Sequence, residues 1–417
     1  MALDRRTLLK LSVRLSTAAA LTPLLSSCEL NADNIGGNDI NDINDKTMLL
    51  SGYRDSQANA SNPSGNNPRY GIAGIYTDGR LAFDIAVPQR VHDSLVLPLT
   101  QQVIFFARRP GTHFYVVDLE SSEITHTITS PLQRHFYGHG SVSRDGRYLF
   151  TSENAFDRQQ GRIGIYDIAD NFKRLDEFSS GGIGPHQIEL LSDQKTLVVA
   201  NGGILTHPAR GRKKLNIDTM QPSLSYLDSQ SGQVIDSFQP PHHQQSIRHI
   251  DVADDDQVAI GIQYEGDPTQ RMPLGYTHQG EDQLQPLQAS ELDWQRHQQY
   301  IGSVCMNPQG SHLLLSSPRG DIVSRWDLRS RSLQSIHTQR DGAGLAFTPS
   351  DSRFFVSNGI GQISALESEK AAQANRAKNT AAFYFANRSW DNHMSALNPD
   401  DRKRADNPNT QQHSVTG

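Results

Sequence analysis

One local order of residues recurs along the chain and constrains its fold more than any other feature. Each recurrence begins at a Gly or His segment, passes through a polar turn such as Ser143-Arg144-Asp145-Gly146, and ends in an apolar run such as Tyr148-Leu149-Phe150-Thr151. Short runs of Val, Ile, Leu, Tyr and Phe between Gly, Asp and Pro turns are typical of β-strands. The recurrences start at Gly138-His139-Gly140, Gly184-Pro185-His186, Arg248-His249, Ile301-Gly302-Ser303 and Ala343-Gly344.

A third strand of one kind follows each of these strand pairs. Its runs end in Asp, as in Val116-Val117-Asp118, Ile165-Tyr166-Asp167, Ser225-Tyr226-Leu227-Asp228 and Val323-Ser324-Arg325-Trp326-Asp327. The rest of each interval is long enough for a fourth, outer strand. A repeat of roughly 40–50 residues made of short strands is the pattern of a β-propeller blade, so the sequence predicts an all-β fold.

Equivalent positions in the repeats give the number of blades. They are separated by 47, 47, 63, 54, 41 and 49 residues along the series His92, His139, His186, His249, Ser303, Gly344 and His393. Only one strand can follow His393, whereas three apolar runs near the N-terminus (48–51, 70–76 and 81–85) have no blade of their own. We therefore predict a seven-bladed β-propeller over residues 47–398, in which N- and C-terminal strands share one blade and remove the open sheet edge.

The N-terminal segment, residues 1–28, is predicted to be an export signal. Arg5-Arg6 precede a short apolar run, as in a twin-arginine signal, and Arg14 inside the run argues against a membrane-spanning helix. Leu25-Ser26-Ser27-Cys28 is similar to a bacterial lipobox, so we expect Cys28 to be lipidated and to anchor a periplasmic protein to a membrane. The alternative is a basic N-terminal helix of a cytoplasmic protein.

Two polar segments flank the predicted propeller. Residues 29–46 are rich in Asn, Asp and Gly, which predicts a flexible tether between anchor and propeller. Residues 399–417 are polar and charged, and we expect them to be disordered.

Charge and cysteine content exclude two classes of protein. The 39 Lys and Arg residues against 45 Asp and Glu give a net charge of −6, whereas a nucleic-acid binder normally has a basic face. Of the two cysteines, only Cys305 remains if Cys28 is lipidated, which rules out a cysteine-ligated zinc cluster. We expect a monomer with no nucleic-acid partner, in which any metal chemistry depends on histidine.

Five of the equivalent positions are histidines, and the predicted fold would bring them together. If the first strand of each blade lines the central channel, a ring forms from His92, His139, His186, His249 and His393. Imidazole suits Fe, Cu and Zn, and catalytic metal sites often use three histidines with an open position. Two other roles stay open: the histidines hydrogen-bond to backbone or water and close the channel, or they act in acid–base catalysis.

Three further residues are candidates for chemistry beside the ring. Arg248 can bind a carboxylate or phosphate, while Glu153 and Glu265 follow predicted inner strands and can act as acid–base groups or form buried salt bridges. The excursion over residues 202–222, which is basic from Arg210 to Lys214, is either a lid or docking loop over one face or a solvated surface.

Several longer motifs resemble those of a known family. They include Phe106-Ala107-Arg108-Arg109-Pro110-Gly111-Thr112, His135-Phe136-Tyr137-Gly138-His139-Gly140, Gly181-Gly182-Ile183-Gly184-Pro185-His186 and Ser246-Ile247-Arg248-His249. With these motifs the chain resembles the DUF1513 family, exported bacterial proteins related to the YVTN and quinoprotein-type propellers. The resemblance covers roughly residues 47–398. It implies a role in periplasmic metal handling, with iron-uptake proteins such as the imelysin type as partners, and it implies no particular reaction.

The sequence favours a periplasmic binding module that holds a metal or small ligand in iron-related uptake. One alternative is a hydrolase similar to the propeller lactonases, which would use the channel histidines with Arg248 and Glu153 or Glu265. Another is an oxidoreductase whose histidine ring holds copper or iron. The sequence contains no P-loop, Gly-x-Gly-x-x-Gly after a strand, Cys-x-x-Cys-His or Gly-x-Ser-x-Gly, which disfavours nucleotide, c-type haem and serine-hydrolase functions.

Overall fold

The computed structural model of the protein describes residues 47–56, 69–211, 213–350, 352–366 and 382–398. These residues form seven antiparallel sheets, six with four strands and one with five, arranged as the blades of a β-propeller. The predicted all-β, seven-bladed fold is confirmed. The predicted export signal with Cys28, the tether and the C-terminal tail lie outside the described residues. Within the part that is described, no helix has the length and apolar character to cross a membrane.

Strands follow one another from the channel outwards in six of the blades. Blade 2 contains β4 (Val91–Val96), β5 (Gln102–Ala107), β6 (His113–Asp118) and β7 (Glu123–Thr129), and blade 3 contains β8 (Arg134–Val142), β9 (Tyr148–Ala155), β10 (Gln160–Asp167) and β11 (Lys173–Ser179). Blade 4 contains β12 (Pro185–Leu190), β13 (Thr196–Asn201), β14 (Ser223–Asp228) and β15 (Val234–Phe238), and blade 5 contains β16 (Gln245–Val252), β17 (Val258–Tyr264), β18 (Gly275–His278) and β19 (Gln285–Pro286). Blade 6 contains β20 (Ser303–Met306), β21 (His312–Ser317), β22 (Ile322–Asp327) and β23 (Ser332–Thr338), and blade 7 contains β24 (Gly342–Thr348), β25 (Arg353–Asn358), β26 (Gln362–Leu366) and β27 (Ala382–Tyr384).

The two ends of the described chain close the ring within blade 1. This blade contains β1 (Met48–Asp55), β2 (Tyr70–Tyr76), β3 (Leu81–Val87), β28 (Arg388–Trp390) and β29 (Ser395–Leu397). β1 pairs with both C-terminal strands, so that Tyr53 lies opposite Trp390 and Leu49 opposite Ala396. The inner strands of successive blades contact one another from β4 to β24, then β29, which contacts β4 again. The shared blade that the sequence predicts is therefore present.

Burial explains why the strands differ in sequence. The second strand of a blade, such as β17, is buried along its whole length because neighbouring blades cover both of its faces. The outer strand β7 alternates exposed and half-buried residues, because only one of its faces packs.

The aspartates that end the third strands form the turns that the repeat requires. The carboxylates of Asp118 and Asp327 each accept a hydrogen bond of 2.8 Å from the backbone N–H three residues later. Asp228 does the same at 2.7 Å. Such side-chain bonds replace a backbone turn and favour Asp at this position.

The described part of the chain contains one α-helix, α1 (Glu291–Arg296), and three 3₁₀ turns (Pro208–Arg210, Ile217–Thr219 and Pro318–Gly320). The helix begins at Ser290, whose Oγ accepts from the backbone N–H of Asp293. Its buried Trp294 stacks on Trp326 of blade 6 with ring centroids 4.9 Å apart. The sequence did not predict this helix, because six residues are too few to show helical periodicity.

Candidate functional site

Irregularities in the inner strands position the five channel histidines. The pairing register shifts between Val91 and Asp93, Phe136 and Gly140, and Pro185 and Ile188, so His92, His139 and His186 all lie within bulges. In blade 5 the bulge lies at Arg248, directly before His249, and His393 lies in the break between β28 and β29. A bulge bends the strand and redirects a side chain, which explains how these residues leave the regular sheet.

The structure brings all five histidines into one compact ring, across which His139 and His393 also approach to 4.7 Å. Neighbouring ring centroids are 4.6–4.8 Å apart around the series His92, His139, His186, His249 and His393, including the closing pair. His186 is partly exposed, and the other four are at most 6% exposed. Nitrogen atoms of two overlapping triads lie within 4.8 Å of one another: His92, His139 and His393, and His139, His186 and His249.

Carboxylates orient two of the imidazoles. The Nδ1 atom of His139 lies 2.7 Å from Oδ2 of Asp93, and Nδ1 of His92 lies 3.1 Å from Oδ1 of Asp391. In a neutral imidazole, Nδ1–H then donates to the carboxylate and Nε2 keeps its lone pair. This is the arrangement by which proteins orient histidine ligands of metals.

Arginines compensate the buried charge of Asp391. Arg90 Nε donates to Oδ2 at 2.5 Å, and the Arg108 guanidinium donates to Oδ1 at 2.8 Å. Asp391 is 1% exposed, so these contacts keep a charged acceptor beside His92 inside the protein.

Four ring histidines hold a buried nitrogen with no hydrogen-bond partner among the residues described. These atoms are His139 Nε2, His186 Nδ1, His249 Nδ1 and His393 Nε2. A buried polar atom left without a partner costs about 1–3 kcal/mol. A ligand that uses the lone pairs of several of these nitrogens would remove this cost.

Burial keeps most of the ring neutral at neutral pH. It lowers the pKa of His92, His186 and His249 well below the ordinary value, and neighbouring imidazoles and guanidiniums lower it further. Burial and the nearby His139 lower the pKa of His393 to about 3. Neutral imidazole is the form that binds metal ions.

A basic cavity of about 180 Å³ opens on one side of the ring. His92, His186 and His249 line it, and so do five basic side chains: Arg108, Arg109, Lys214, Arg248 and Arg319. The excursion over residues 202–222 reaches this cavity through Lys214, which pairs with Glu265, and through Thr206, which accepts from Arg109 at 3.4 Å. The basic excursion therefore lies at the mouth of the channel, although its Arg212 is outside the described residues.

The inner strands continue past the ring to a second cavity of about 430 Å³ with acidic lining residues. His393 lines it together with Asp93, Glu189, Asp251 and Asp254. Burial and the neighbouring Asp251 and Asp93 raise the pKa of Glu189 to about 8. Burial likewise raises the pKa of Asp251 to about 6. The histidine ring thus separates a basic cavity from an acidic one.

Blades 6 and 7 contribute no histidine to the ring, and the structure gives a reason for each. A Cβ atom on Gly344 would lie 2.8 Å from the backbone carbon of His393, whose chain already occupies that space. In blade 6, β20 pairs with β21 without a register shift, so no bulge redirects Ser303, which lines the acidic cavity.

The three candidate catalytic residues occupy different places. Arg248 and Glu265 line the basic cavity. Glu153 does not: it is fully buried, and its oxygens accept from the Arg174 guanidinium at 2.6 and 2.9 Å. Tyr166 Oη also donates to Glu153, at 3.1 Å, so this glutamate forms the buried salt bridge that the sequence left as an alternative.

Sequence reasoning missed residues that support the ring. The sequence pattern does not predict Asp93 and Asp391 as site residues, although each lies within two positions of a ring histidine. Second-strand serines were also missed: Ser152 Oγ donates to the carbonyl of His186, and Ser51 Oγ to that of His393, both at 2.8 Å. These bonds satisfy backbone groups that the bulges remove from the ladder.

Comparisons with known proteins address the family and the fold. Residues 85–397 match the family described as "Protein of unknown function (DUF1513)". Among solved structures, the chain is similar to the Kuenenia stuttgartiensis hydrazine synthase, with a TM-score of 0.47 and 13% identity, covering 69% of this chain and 81% of that chain. No curated protein matches the chain.

Proposed function

The chain belongs to the DUF1513 family, as its motifs predict, and we propose that it binds a transition-metal ion such as Fe, Cu or Zn at the histidine ring. The observation that carries the proposal is the set of four buried imidazole nitrogens without hydrogen-bond partners in the described chain. A metal ion is a ligand that takes several such lone pairs at once.

A purely structural role for the ring explains less. If the histidines only closed the channel, their buried nitrogens would be expected to form hydrogen bonds with backbone groups or with each other. Instead, serine hydroxyls bind the backbone carbonyls beside the bulges, as Ser152 does for His186. The imidazoles themselves lie close together, with one nitrogen of each histidine in a triad within 4.8 Å of those of the other two.

One ion per chain is the expected stoichiometry. His139 belongs to both triads, and its Nδ1 already contacts Asp93, so a single lone pair is available on Nε2. The two triads cannot both be completed at the same time. His186 and His249 line the basic cavity, which leaves one side of their triad open to a further ligand.

A role in iron-related uptake is the physiological part of the proposal. The family resemblance supports it, and so do the twin-arginine and lipobox motifs that would place the protein at the periplasmic side of a membrane through Cys28. Under this proposal the propeller is a binding module that holds the ion for a partner in uptake. Binding of iron, besides any binding of zinc or copper, is the property that this role requires.

Metal titration of the full chain tests the proposal. The protein is stripped with a chelator and titrated separately with Fe²⁺ (anaerobically), Cu²⁺ and Zn²⁺ by calorimetry, with the bound metal counted by elemental analysis. We expect one equivalent in the wild type and none in His139→Ala, which removes the ligand common to both triads. His337→Ala, which changes an exposed histidine of β23, serves as the matched control and should bind as the wild type does.

Two further variants identify the triad, because His393→Ala removes a ligand from one and His186→Ala from the other. A wild-type protein that binds none of the three ions would contradict the proposal, and so would His139→Ala binding with unchanged affinity. Tight binding of zinc or copper with no binding of iron would retain the metal site and reject the iron role.

A further inference from the structure

We propose that the basic cavity beside the ring is a binding site for a small multivalent oxyanion, a phosphate or a dicarboxylate. This site goes beyond metal binding, because its residues come from the channel mouth and its ligand binds whether or not a metal is present. It is the cavity of about 180 Å³ lined by the guanidiniums of Arg109, Arg248 and Arg319.

The charges around the cavity do not balance. Lys214 is paired with Glu265, and Arg108 is paired with Asp391. In the described parts of the chain, Arg109, Arg248 and Arg319 have no carboxylate within salt-bridge distance. Three guanidiniums that converge on one cavity repel each other, and an anion with two or more negative charges relieves that repulsion.

Arg248 is the clearest sign of a built site. Its side chain is more than nine-tenths buried, and its Nε lies in the interior with no hydrogen-bond partner in the portion of the chain described. Burying an unpaired guanidinium is costly, so the fold holds this group ready for a ligand. The bulge of blade 5 lies at Arg248 itself, because the pairing of β16 with β17 shifts between Ile247 and His249.

The neighbouring arginines complete the charge pattern. Burial lowers the pKa of Arg109, and the nearby Arg248 guanidinium lowers it further because the two cations repel one another. The Arg319 guanidinium lies 4.3 Å from the centroid of the Tyr300 ring, and both residues line the cavity. Planar guanidiniums bind carboxylate and phosphate oxygens in pairs of parallel hydrogen bonds.

The size of the cavity limits the ligand. A volume of about 180 Å³ lies below the range of roughly 300–1,000 Å³ that is typical of pockets for drug-sized molecules. The lining side chains named above offer donors and charge, whereas an apolar ligand would leave the guanidiniums buried without partners. Phosphate and short dicarboxylates are both small enough for this cavity, and both carry several negatively charged oxygens close together.

Calorimetry on the metal-free full chain at neutral pH and low salt tests the site with two probes, inorganic phosphate and malonate. We expect saturable binding of at least one, and the stronger probe identifies the source of the oxyanion. Arg248→Gln and Arg109→Gln should each weaken binding at least tenfold. Arg329→Gln, which removes an exposed arginine outside the cavity, should change affinity by less than twofold.

Thermal melting shows whether each variant is folded. If either Arg248→Gln or Arg109→Gln misfolds, the other still tests the site. Absence of binding by the wild type to both probes would overturn the proposal, as would unchanged affinity in both folded cavity variants. The anion titration uses the metal-free wild-type chain and the arginine variants, so its outcome does not depend on metal binding. Failure of metal binding and failure of anion binding are thereby separate results.

Discussion

The carboxylate of Asp93 in blade 2 lies 2.7 Å from Nδ1 of His139 in blade 3, so one blade orients the histidine of the next. The same relationship holds one blade earlier, where Asp391, near the end of blade 1, contacts His92 of blade 2 at 3.1 Å. Each acid follows or precedes a ring histidine of its own blade by one or two residues. Ring geometry therefore depends on the packing between blades as well as on each bulge.

Replacing Asp93 by Asn should weaken metal binding about 10–100-fold, because the imidazole of His139 loses the charged acceptor that fixes its orientation. Competition with a chromophoric chelator measures the change. The control is Asp170→Asn at an exposed turn, where the carboxylate pairs with Lys173. Equal affinities for the two variants would show that Asp93 has no influence on a ligand.

Replacing Gly138 by Ala should destabilise the fold and disturb His92. Gly138 has φ of +109°, and a Cβ there would lie 2.7 Å from Cδ2 of His92. We expect a loss of about 2–5 kcal/mol in the free energy of unfolding, from left-handed strain of about 1–2 and overpacking of about 1–3 kcal/mol. Urea unfolding measures it.

Gly280→Ala separates the two causes, because Gly280 has φ of +89° and nothing within 4 Å of a built Cβ. It should show the backbone strain alone and leave metal binding unchanged. If both glycine variants lost the same stability, the contact with His92 would not be the cause.

Replacing Arg174 by Met should destabilise the protein by about 3–5 kcal/mol, because it leaves the fully buried Glu153 carboxylate without its cation. Metal affinity should not change, since Glu153 pairs with Arg174 and Tyr166 and belongs to neither histidine triad. Arg158→Met is the matched control: this arginine is 62% exposed, and loss of its surface pair should cost less than about 1 kcal/mol. Loss of metal binding in a folded Arg174→Met protein would instead tie Glu153 to the site.

Glu189 should make stability fall as the pH rises. Burial and the neighbouring Asp251 and Asp93 raise its pKa to about 8. The fold therefore favours the protonated form of Glu189. The stability that this form contributes is complete below the ordinary pKa of a glutamate and is lost as the pH rises through 8. Glu189→Gln should therefore match the wild type near pH 4.5 and exceed it by about 1–3 kcal/mol near pH 9, after discounting for solvent at the cavity mouth.

Denaturant unfolding between pH 4.5 and pH 9 measures the difference in stability. The control is Glu123→Gln, which changes an exposed position of β7. Parallel wild-type and Glu189→Gln curves would show that Glu189 titrates normally.

Much of the site follows from the repeat in the sequence. The spacing from His92 to His393 predicts that five histidines occupy equivalent inner positions, and the structure places their ring centroids 4.6–4.8 Å from their neighbours. The prediction succeeds because a propeller places equivalent residues of its blades around one axis. The salt bridge of Glu153 was not decided by sequence, because Arg174 belongs to another strand of the same blade and only the register brings the two together.

The sequence by itself determined the all-β class, the seven blades, the blade shared by the two chain ends and the convergence of the histidines, because these depend on a periodic pattern along the chain. Only the tertiary structure decided which imidazole nitrogens stay without partners, which blade supplies Asp93 to His139, and that basic and acidic cavities lie on either side of the ring. Those features arise from contacts between blades, where distance in space has no fixed relation to distance in sequence. The bulge at Arg248 and the left-handed Gly138 show how local backbone geometry then sets the final direction of each functional side chain.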